Sequence, residues 1–144
     1  MAVIKPFVCV RPAEKYAAEI AALPYDVYDR AEAKEVVQKN PRSFLKIDRA
    51  ETLFPDDQDM YAPEVYQKAR SVFEEMLASG EFVRDDAKAY YLYELTMNGH
   101  SQTGLVGCAS IDDYQNGVIK KHENTRADKE LDRINHVYVM SAQT

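Results

Sequence analysis

The chain has 144 residues, of which 46% are hydrophobic and 29% charged, and this composition is that of a folded domain rather than a disordered segment. The formal net charge of −6 argues against general nucleic-acid binding, because proteins of that class present a basic surface to the phosphates. No apolar run approaches the roughly 20 residues that a membrane-spanning helix needs, and the first residues do not have the form of a signal peptide.

The first third of the chain predicts one edge strand and two short helices. Residues 2–10 favour a strand in which Pro6 limits pairing with a neighbour. Residues 14–23 place apolar side chains at helical spacing. A second helix is expected after Asp29, whose side chain forms a capping box with Glu32.

The turn between these helices, Pro24-Tyr25-Asp26-Val27, carries the first candidate site residue. A tyrosine and an aspartate in a stiff loop can line a ligand pocket. An aspartate in such a turn more often satisfies local backbone N–H groups. Both interpretations of Asp26 stay open at this point.

The middle of the chain predicts a strand, an acidic loop and one long helix. Residues 43–48 alternate polar and apolar side chains, which is typical of a strand. Residues 49–61 are acidic but lack the ligand spacing of a calcium loop, so we expect a solvated loop. Pro63 begins a helix whose apolar stripe faces the core, and Gly80 ends it.

The second half predicts an antiparallel meander of three strands. Residues 87–97 and 103–111 favour strands, joined by a hairpin turn at Asn98-Gly99. Residues 118–121 favour a third strand. The tyrosines of the first strand could stack on bases, but they lack basic neighbours, so a structural role is expected.

The order of these elements predicts an α+β fold with a largely antiparallel sheet and packed helices, as one domain over residues 1–144. An apolar pattern is still running at Thr144, so we expect the N-terminal portion of a longer protein. Cys9 and Cys108 lie in apolar, strand-like runs and are expected to be buried thiols. A reduced, cytoplasmic location follows from this expectation.

The polar stretch from Gly117 to His136 is the main candidate for a functional site. It leads from a short strand into a helix, with Thr125 and Asp128 in the positions of a capping box. Free backbone N–H groups and the helix dipole at such a start favour an anion. A charged segment of this kind is equally often a solvated loop and helix face.

Several side chains of this stretch have the chemistry that phosphoryl transfer needs. His122 can donate a hydrogen bond to an anion, and Glu123 can act as a base. Asp128 and Asp132 share a helix face and could hold Mg²⁺ while Arg133 neutralises a phosphate. Catalysis of phosphoryl transfer is mostly positioning and charge neutralisation, although the chain has no phosphate-cradling glycine loop.

Four motifs together resemble one protein family. They are IKPF at 4–7, PYDV at 24–27, NPRSFLKID at 40–48, and IKKHENT at 119–125 with Asp-Arg following at 132–133. In this combination the chain resembles, over its whole length, the bacterial and archaeal family called domain of unknown function 1015. The resemblance implies a longer parent protein and a link to the ParB-like free-serine kinases. In those kinases a His/Arg-rich loop at a helix start holds nucleotide phosphates, and His122, Glu123 and Thr125 correspond to it loosely.

The first hypothesis is a nucleotide-dependent phosphoryl-transfer enzyme, or its nucleotide-binding part, acting with ATP and Mg²⁺ on a small hydroxylated metabolite such as serine. Glu123 or Asp26 would accept the hydroxyl proton. The phosphates would be bound by His122, Thr125, Arg126 and Arg133, and the metal by Asp132 and Asp128.

Two alternatives stay open. The chain could be a regulatory module that binds a nucleotide or another anion without turnover. It could also be the structural half of a larger site, in which His122 and the Asp132–Arg133 pair join the last helix to the sheet. The sequence predicts no membrane partner and leaves the oligomeric state open.

Overall fold

A computed structural model describes residues 1–121 and 126–144 of the chain, except for the side chain of Asp128. The chain divides into two compact units, each made of two segments. The first unit is Met1–Arg11 with Arg84–Asn124, and the second is Pro12–Val83 with Thr125–Thr144. The fold contains helices and antiparallel strand pairs, which confirms the α+β prediction, while the prediction of one domain stays a prediction.

The elements are numbered along the chain. The strands are β1 Ile4–Lys5, β2 Val10–Pro12, β3 Phe82–Arg84, β4 Tyr91–Met97, β5 His100–Val106 and β6 Cys108–Ala109. The helices are α1 Ala17–Ile20, α2 Arg30–Lys39, α3 Leu45–Asp48, α4 Pro63–Ala78, α5 Ile111–Gln115 and α6 Ala127–Met140. Single 3₁₀ turns occupy Glu14–Tyr16, Tyr25–Val27 and Ala50–Leu53.

Helix α4 forms the centre of the second unit, as its sequence predicts. Pro63 is its first residue, and Gly80 follows its end with a φ of +74°, a backbone region that glycine enters without strain. The apolar stripe of α4 is buried, and its most buried members are Val65, Ala69, Val72 and Met76. Burying each of the larger of these side chains stabilises the fold by roughly 1.5–3 kcal/mol.

Helix α2 begins with the predicted capping box. The Asp29 carboxylate accepts a hydrogen bond from the Glu32 backbone N–H at 2.8 Å, and the Glu32 carboxylate accepts one from the Asp29 N–H at 2.9 Å. Two backbone donors that the helix itself leaves without a partner are satisfied in this way.

The strand predicted over residues 43–48 is wrong, because this segment forms the helical turn α3. The Phe44 carbonyl accepts hydrogen bonds from the N–H groups of Ile47 and Asp48, at 2.9 and 3.2 Å. Leu45 and Ile47 are both buried, at 1% and 0% exposure. Periodicity alone does not separate a short buried strand from a short buried helix, and here local hydrogen bonds selected the helix.

The predicted hairpin is confirmed in the first unit. Strands β4 and β5 pair antiparallel from Tyr91 opposite Val106 to Met97 opposite His100. Asn98 and Gly99 between them have φ values of +53° and +77°, which are the values of a type I′ turn.

The third strand of the predicted meander is wrong. Residues 118–121 form no strand, and the Ile119 N–H donates to the Asp113 carbonyl at 3.0 Å, so the chain turns back onto α5. The strand that follows the hairpin along the chain is instead β6, which pairs with β1. Gly107 permits this pairing, because a Cβ there would lie 2.7 Å from Ile4 Cγ2.

The prediction that both cysteines are buried is wrong. Cys9 and Cys108 are both free thiols, but Cys108 is exposed and Cys9 is half-buried. Partial burial and then the neighbouring Asp85 carboxylate raise the pKa of Cys9. Within residues 1–121 and 126–144, no helix is long and apolar enough to cross a membrane.

Candidate functional site

A cavity of about 430 Å³ lies within the second unit, between the turn at Tyr25, the segment from α3 to Glu51, helix α4 and helix α6. Its charged lining has four acidic and four basic side chains: Asp26, Asp48, Glu51 and Asp132, and Arg30, Arg49, Lys129 and Arg133. Tyrosines and His136 complete the polar part of the wall. A concave site with a few convergent polar groups is the usual form of a small-molecule site.

A buried ion pair fixes the turn at one side of the cavity. Arg49 and Glu51 are only 8% and 3% exposed, and Arg49 Nε donates a hydrogen bond to Glu51 Oε1. Arg49 Nη1 also donates to the backbone carbonyls of Tyr25 and Tyr28, at 3.0 and 2.9 Å. The position of the turn that contains Asp26 is therefore held by Arg49. The acidic segment was predicted to be solvated, and this is wrong for Glu51.

Asp132 connects helix α6 to helix α4. Tyr66 Oη on α4 donates a hydrogen bond to Asp132 Oδ1 at 2.9 Å, and Arg133 Nη2 donates to Oδ2 at 3.1 Å. Asp132 is 7% exposed. Burial, followed by the hydrogen bond to Asp132, raises the pKa of Tyr66 to about 12. The tyrosine hydroxyl therefore keeps its proton and stays a donor to the carboxylate.

The guanidinium of Arg133 contacts two further residues of the cavity lining. Its Cζ lies 4.5 Å above the centre of the Tyr25 ring, in the geometry of a cation–π contact. Its Nη1 is 3.7 Å from Asp48 Oδ1, so this ion pair is longer than a hydrogen bond. Two carboxylates, those of Asp132 and Asp48, thus lie beside one guanidinium.

His136 and Asp48 form the buried end of the site. His136 is 2% exposed, contacts the Tyr66 ring edge-on, and has Nε2 at 3.1 Å from the Ile47 carbonyl. Because a carbonyl only accepts, Nε2 is the donor in that contact. Burial raises the pKa of Asp48, and the nearby positive charge of Arg133, together with His136, offsets part of this rise.

Three of the residues predicted for the site meet in this cavity. Asp26, Asp132 and Arg133 all line it, although they come from opposite ends of the chain. Asp26 is exposed, and its carboxylate accepts no backbone hydrogen bond within the part of the chain that the structure describes. Its alternative role as a local turn cap therefore has no support from these contacts.

The remaining predicted residues are not brought together here. Arg126 is exposed and does not line the cavity. His122, Glu123 and Thr125 lie outside the described residues, as does the Asp128 side chain and with it the predicted capping box. The roles assigned to these four residues, including phosphate binding and metal binding, stay predictions.

Several cavity residues were missed from the sequence. Asp48 was placed on a strand, and Tyr66 was hidden within a helix that appeared to be core alone. A tyrosine at a buried position of a helix needs a partner for its hydroxyl, and that was the one available signal. Arg49 and Glu51 gave no such signal, since their pairing depends on the 3₁₀ turn that begins at Ala50.

The described side chains fit a magnesium site only in part. Residues 1–121 and 126–144 contain no group of three or more His, Cys, Asp or Glu side chains placed to hold a metal ion. Asp48 and Asp132 do bring two carboxylates to one cavity. Mg²⁺ is often held by one or two carboxylates together with substrate phosphates and water, so carboxylates are the ligand type that these two residues would supply.

The fold and the cavity define an α+β protein with a charge-balanced polar cavity, whose wall includes the Asp-Arg pair of its last helix. The chain belongs to the family described as protein of unknown function DUF1015, whose family model matches residues 4–144. This confirms the family that the four motifs indicated. No curated protein and no solved structure matches the chain.

Proposed function

We propose that this chain is a nucleotide-dependent phosphoryl-transfer enzyme for a small hydroxylated metabolite such as serine, or the part of that enzyme that binds its substrates. The observation that carries the proposal is that Asp26, Asp132 and Arg133 line one cavity. Each of these residues has a different proposed role in the same reaction, and only folding brings the turn at Asp26 and helix α6 together.

The proposed roles follow from position. Asp26 is exposed at the cavity wall, where a carboxylate can accept the proton of a substrate hydroxyl. Arg133 supplies positive charge for the transferring phosphoryl group. ATP phosphates are assigned to His122, Thr125, Arg126 and Arg133. Mg²⁺ would neutralise phosphate charge when bound, with Asp132 and Asp128 as its proposed ligands.

Binding without turnover is the second candidate function. The contacts of Asp132 favour it. Both oxygens of this proposed metal ligand already accept hydrogen bonds, from Tyr66 and Arg133, which leaves the carboxylate less free to bind the Mg²⁺ that transfer would use. This carboxylate ties α6 to α4 within the second unit, so its contacts equally match the structural hypothesis, with a helix in place of the sheet. A chain that binds nucleotide but transfers no phosphate would support this candidate.

The test is calorimetric titration with ATP and ADP, with and without Mg²⁺, followed by a transfer assay with serine. We expect micromolar nucleotide binding that the double variant His122→Ala/Glu123→Ala loses. The variant Arg133→Gln should bind nucleotide more weakly than the wild type and lose transfer.

Arg70→Gln is the matched control, because Arg70 lies on α4, pairs with Glu74 and does not line the cavity. It removes the same charge and should change neither measurement. A folded wild-type chain that binds neither nucleotide would contradict the proposal.

A further inference from the structure

Three residues that line the cavity each hold a buried polar atom that has no hydrogen-bond partner among the described residues. The atoms are Asp48 Oδ1, Arg133 Nε and His136 Nδ1. At least nine in ten buried polar groups in proteins have a partner, so three exceptions on one wall need an explanation. His136 is 98% buried, which places its Nδ1 out of reach of bulk solvent.

The donor or acceptor type of each of these atoms determines which ligand group could be its hydrogen-bond partner. Asp48 Oδ1 accepts, Arg133 Nε donates, and His136 Nδ1 accepts in the neutral ring or donates in the charged one. A hydroxyl group both donates and accepts, so it can serve any of these atoms. The guanidinium and the Asp48 carboxylate are 3.7 Å apart at Nη1 and Oδ1, close enough for one ligand atom to contact both.

The charges of the cavity lining and the cavity volume indicate the net charge and the size of the ligand. The lining has equal numbers of acidic and basic side chains, and the Arg133 charge is already offset by Asp132 and Asp48. A strongly anionic group bound here without an accompanying cation would meet two carboxylates and leave the half-buried site with an unbalanced charge, which is costly. A volume of about 430 Å³ is near the lower end for ligand pockets and suits a small metabolite.

We propose that this cavity binds a small, net-neutral hydroxylated molecule, and that Asp48 is the residue that accepts the hydrogen bond of its hydroxyl group. Arg133 Nε donates to the same hydroxyl oxygen, and His136 Nδ1 lies at the closed end of the site. The inference rests on the proposed function, because the molecule placed in the cavity is the acceptor substrate of the proposed phosphoryl transfer.

The burial of Asp48 supports this role. Its pKa is raised because burial disfavours the charged carboxylate. Asp48 Oδ1 has no hydrogen-bond donor among the described residues, so a ligand hydroxyl would supply the one it lacks.

The experiment is binding without any nucleotide, measured by calorimetry and by ligand-observed NMR. The probes are L-serine, L-threonine, glycerol and D-ribose at concentrations up to tens of millimolar. L-alanine lacks the hydroxyl of serine, and L-phosphoserine and D-ribose 5-phosphate add negative charge. We expect at least one neutral hydroxylated probe to bind, and its matched control to bind at least tenfold more weakly.

Asp48→Asn should weaken that binding about tenfold, because a hydrogen bond to a charged carboxylate becomes one to a neutral amide. Asp56→Asn is the matched variant, since Asp56 is highly exposed and lies outside the cavity. Its binding should equal that of the wild type. An unchanged melting temperature of Asp48→Asn would show that any lost binding is not unfolding.

Three results would overturn the inference: no neutral probe binds, the phosphorylated probes bind as tightly as the neutral ones, or Asp48→Asn binds like the wild type. Because no nucleotide is present, these results are independent of the test of phosphoryl transfer. Probe binding without ATP binding would leave the inference standing and remove the proposed function.

Discussion

The two units of this protein place their polar and apolar groups in opposite ways. In the second unit, charged side chains such as Arg49, Glu51 and Asp132 are buried and paired around a cavity. In the first unit, the β4–β5 hairpin exposes apolar side chains, with Leu92 at 77% and Leu105 at 67% exposure. The second unit is therefore organised by its side chains, whereas the hairpin is organised by its backbone ladder and its turn.

This difference predicts that substitutions in the second unit should destabilise the protein more than equivalent substitutions in the hairpin. A buried charge or a buried leucine has neighbours that cannot relax fully when it is removed. An exposed ladder loses little when one side chain is shortened. Pairs of equivalent substitutions, one in each unit, can therefore test the comparison directly.

The largest effect is expected for the arginine ion pairs. Arg49→Ala leaves the Glu51 carboxylate buried without its partner and should lower the free energy of unfolding by about 3–5 kcal/mol. Arg11→Ala breaks the Arg11–Asp85 pair of the first unit, where the arginine is 53% exposed, and should cost about 1 kcal/mol or less. Urea unfolding of both variants measures the difference, and equal costs would contradict the comparison.

A smaller difference is expected for leucines. Leu45, at 1% exposure, contributes to the core of the second unit, and Leu45→Ala should cost about 2–5 kcal/mol. Leu105→Ala on the hairpin should change stability by no more than about 0.5 kcal/mol. Thermal and urea unfolding provide the values. A large cost at Leu105 would mean that the hairpin face is covered in solution.

The smallest effect is expected for the tyrosine hydroxyls, and it depends on pH. Tyr66→Phe removes the donor to buried Asp132 and should cost about 1.5–3 kcal/mol at neutral pH. The folded pKa of Tyr66 is about 12 against an ordinary value of 10.0, so the contribution is complete below pH 10 and is lost as the pH rises toward 12. Unfolding measured between pH 7 and 12 should show the wild type and the variant converging.

Tyr91→Phe in the first unit is the matched change, with an effect in the acid range. Tyr91 Oη donates to Asp85 Oδ2 at 2.7 Å, and this hydrogen bond, followed by that from Arg11, lowers the pKa of Asp85. Asp85 therefore stabilises the fold above its ordinary pKa of 3.8, and this contribution is lost as the pH falls further. The variant should show a higher Asp85 pKa in an NMR titration, and an unchanged value would contradict this role for Tyr91.

Local signals were sufficient to predict much of the fold. The Asp29–Glu32 capping box, the limits of α4 and the Asn98-Gly99 turn each depend on a few neighbouring residues, and all are present. The strand at 43–48 failed because alternating leucine and isoleucine also suit one buried helical turn. The third meander strand failed because residues 118–121 turn back onto α5, where the Ile119 N–H donates to the Asp113 carbonyl.

The candidate site could be predicted only as separate residues. Asp26, Asp132 and Arg133 were selected for their chemical types, and no sequence pattern could place them around one cavity. Asp48, Tyr66 and His136 acquire their roles from burial and from contacts between distant segments, such as Tyr66 with Asp132. Those contacts exist only in the folded chain.

The pairing of β1 with β6 has a consequence for synthesis on the ribosome. Ile4 pairs with Ala109, and the Val3 N–H donates to Asp113 Oδ2 at 2.7 Å, so β1 finds its partners about a hundred residues later in the chain. At about 5–20 residues per second, this strand waits roughly 5–20 seconds with its backbone unpaired. Helix α6 likewise supplies Asp132 to Tyr66, which is made 66 residues earlier. In each unit, an earlier segment therefore waits for a partner that is made much later.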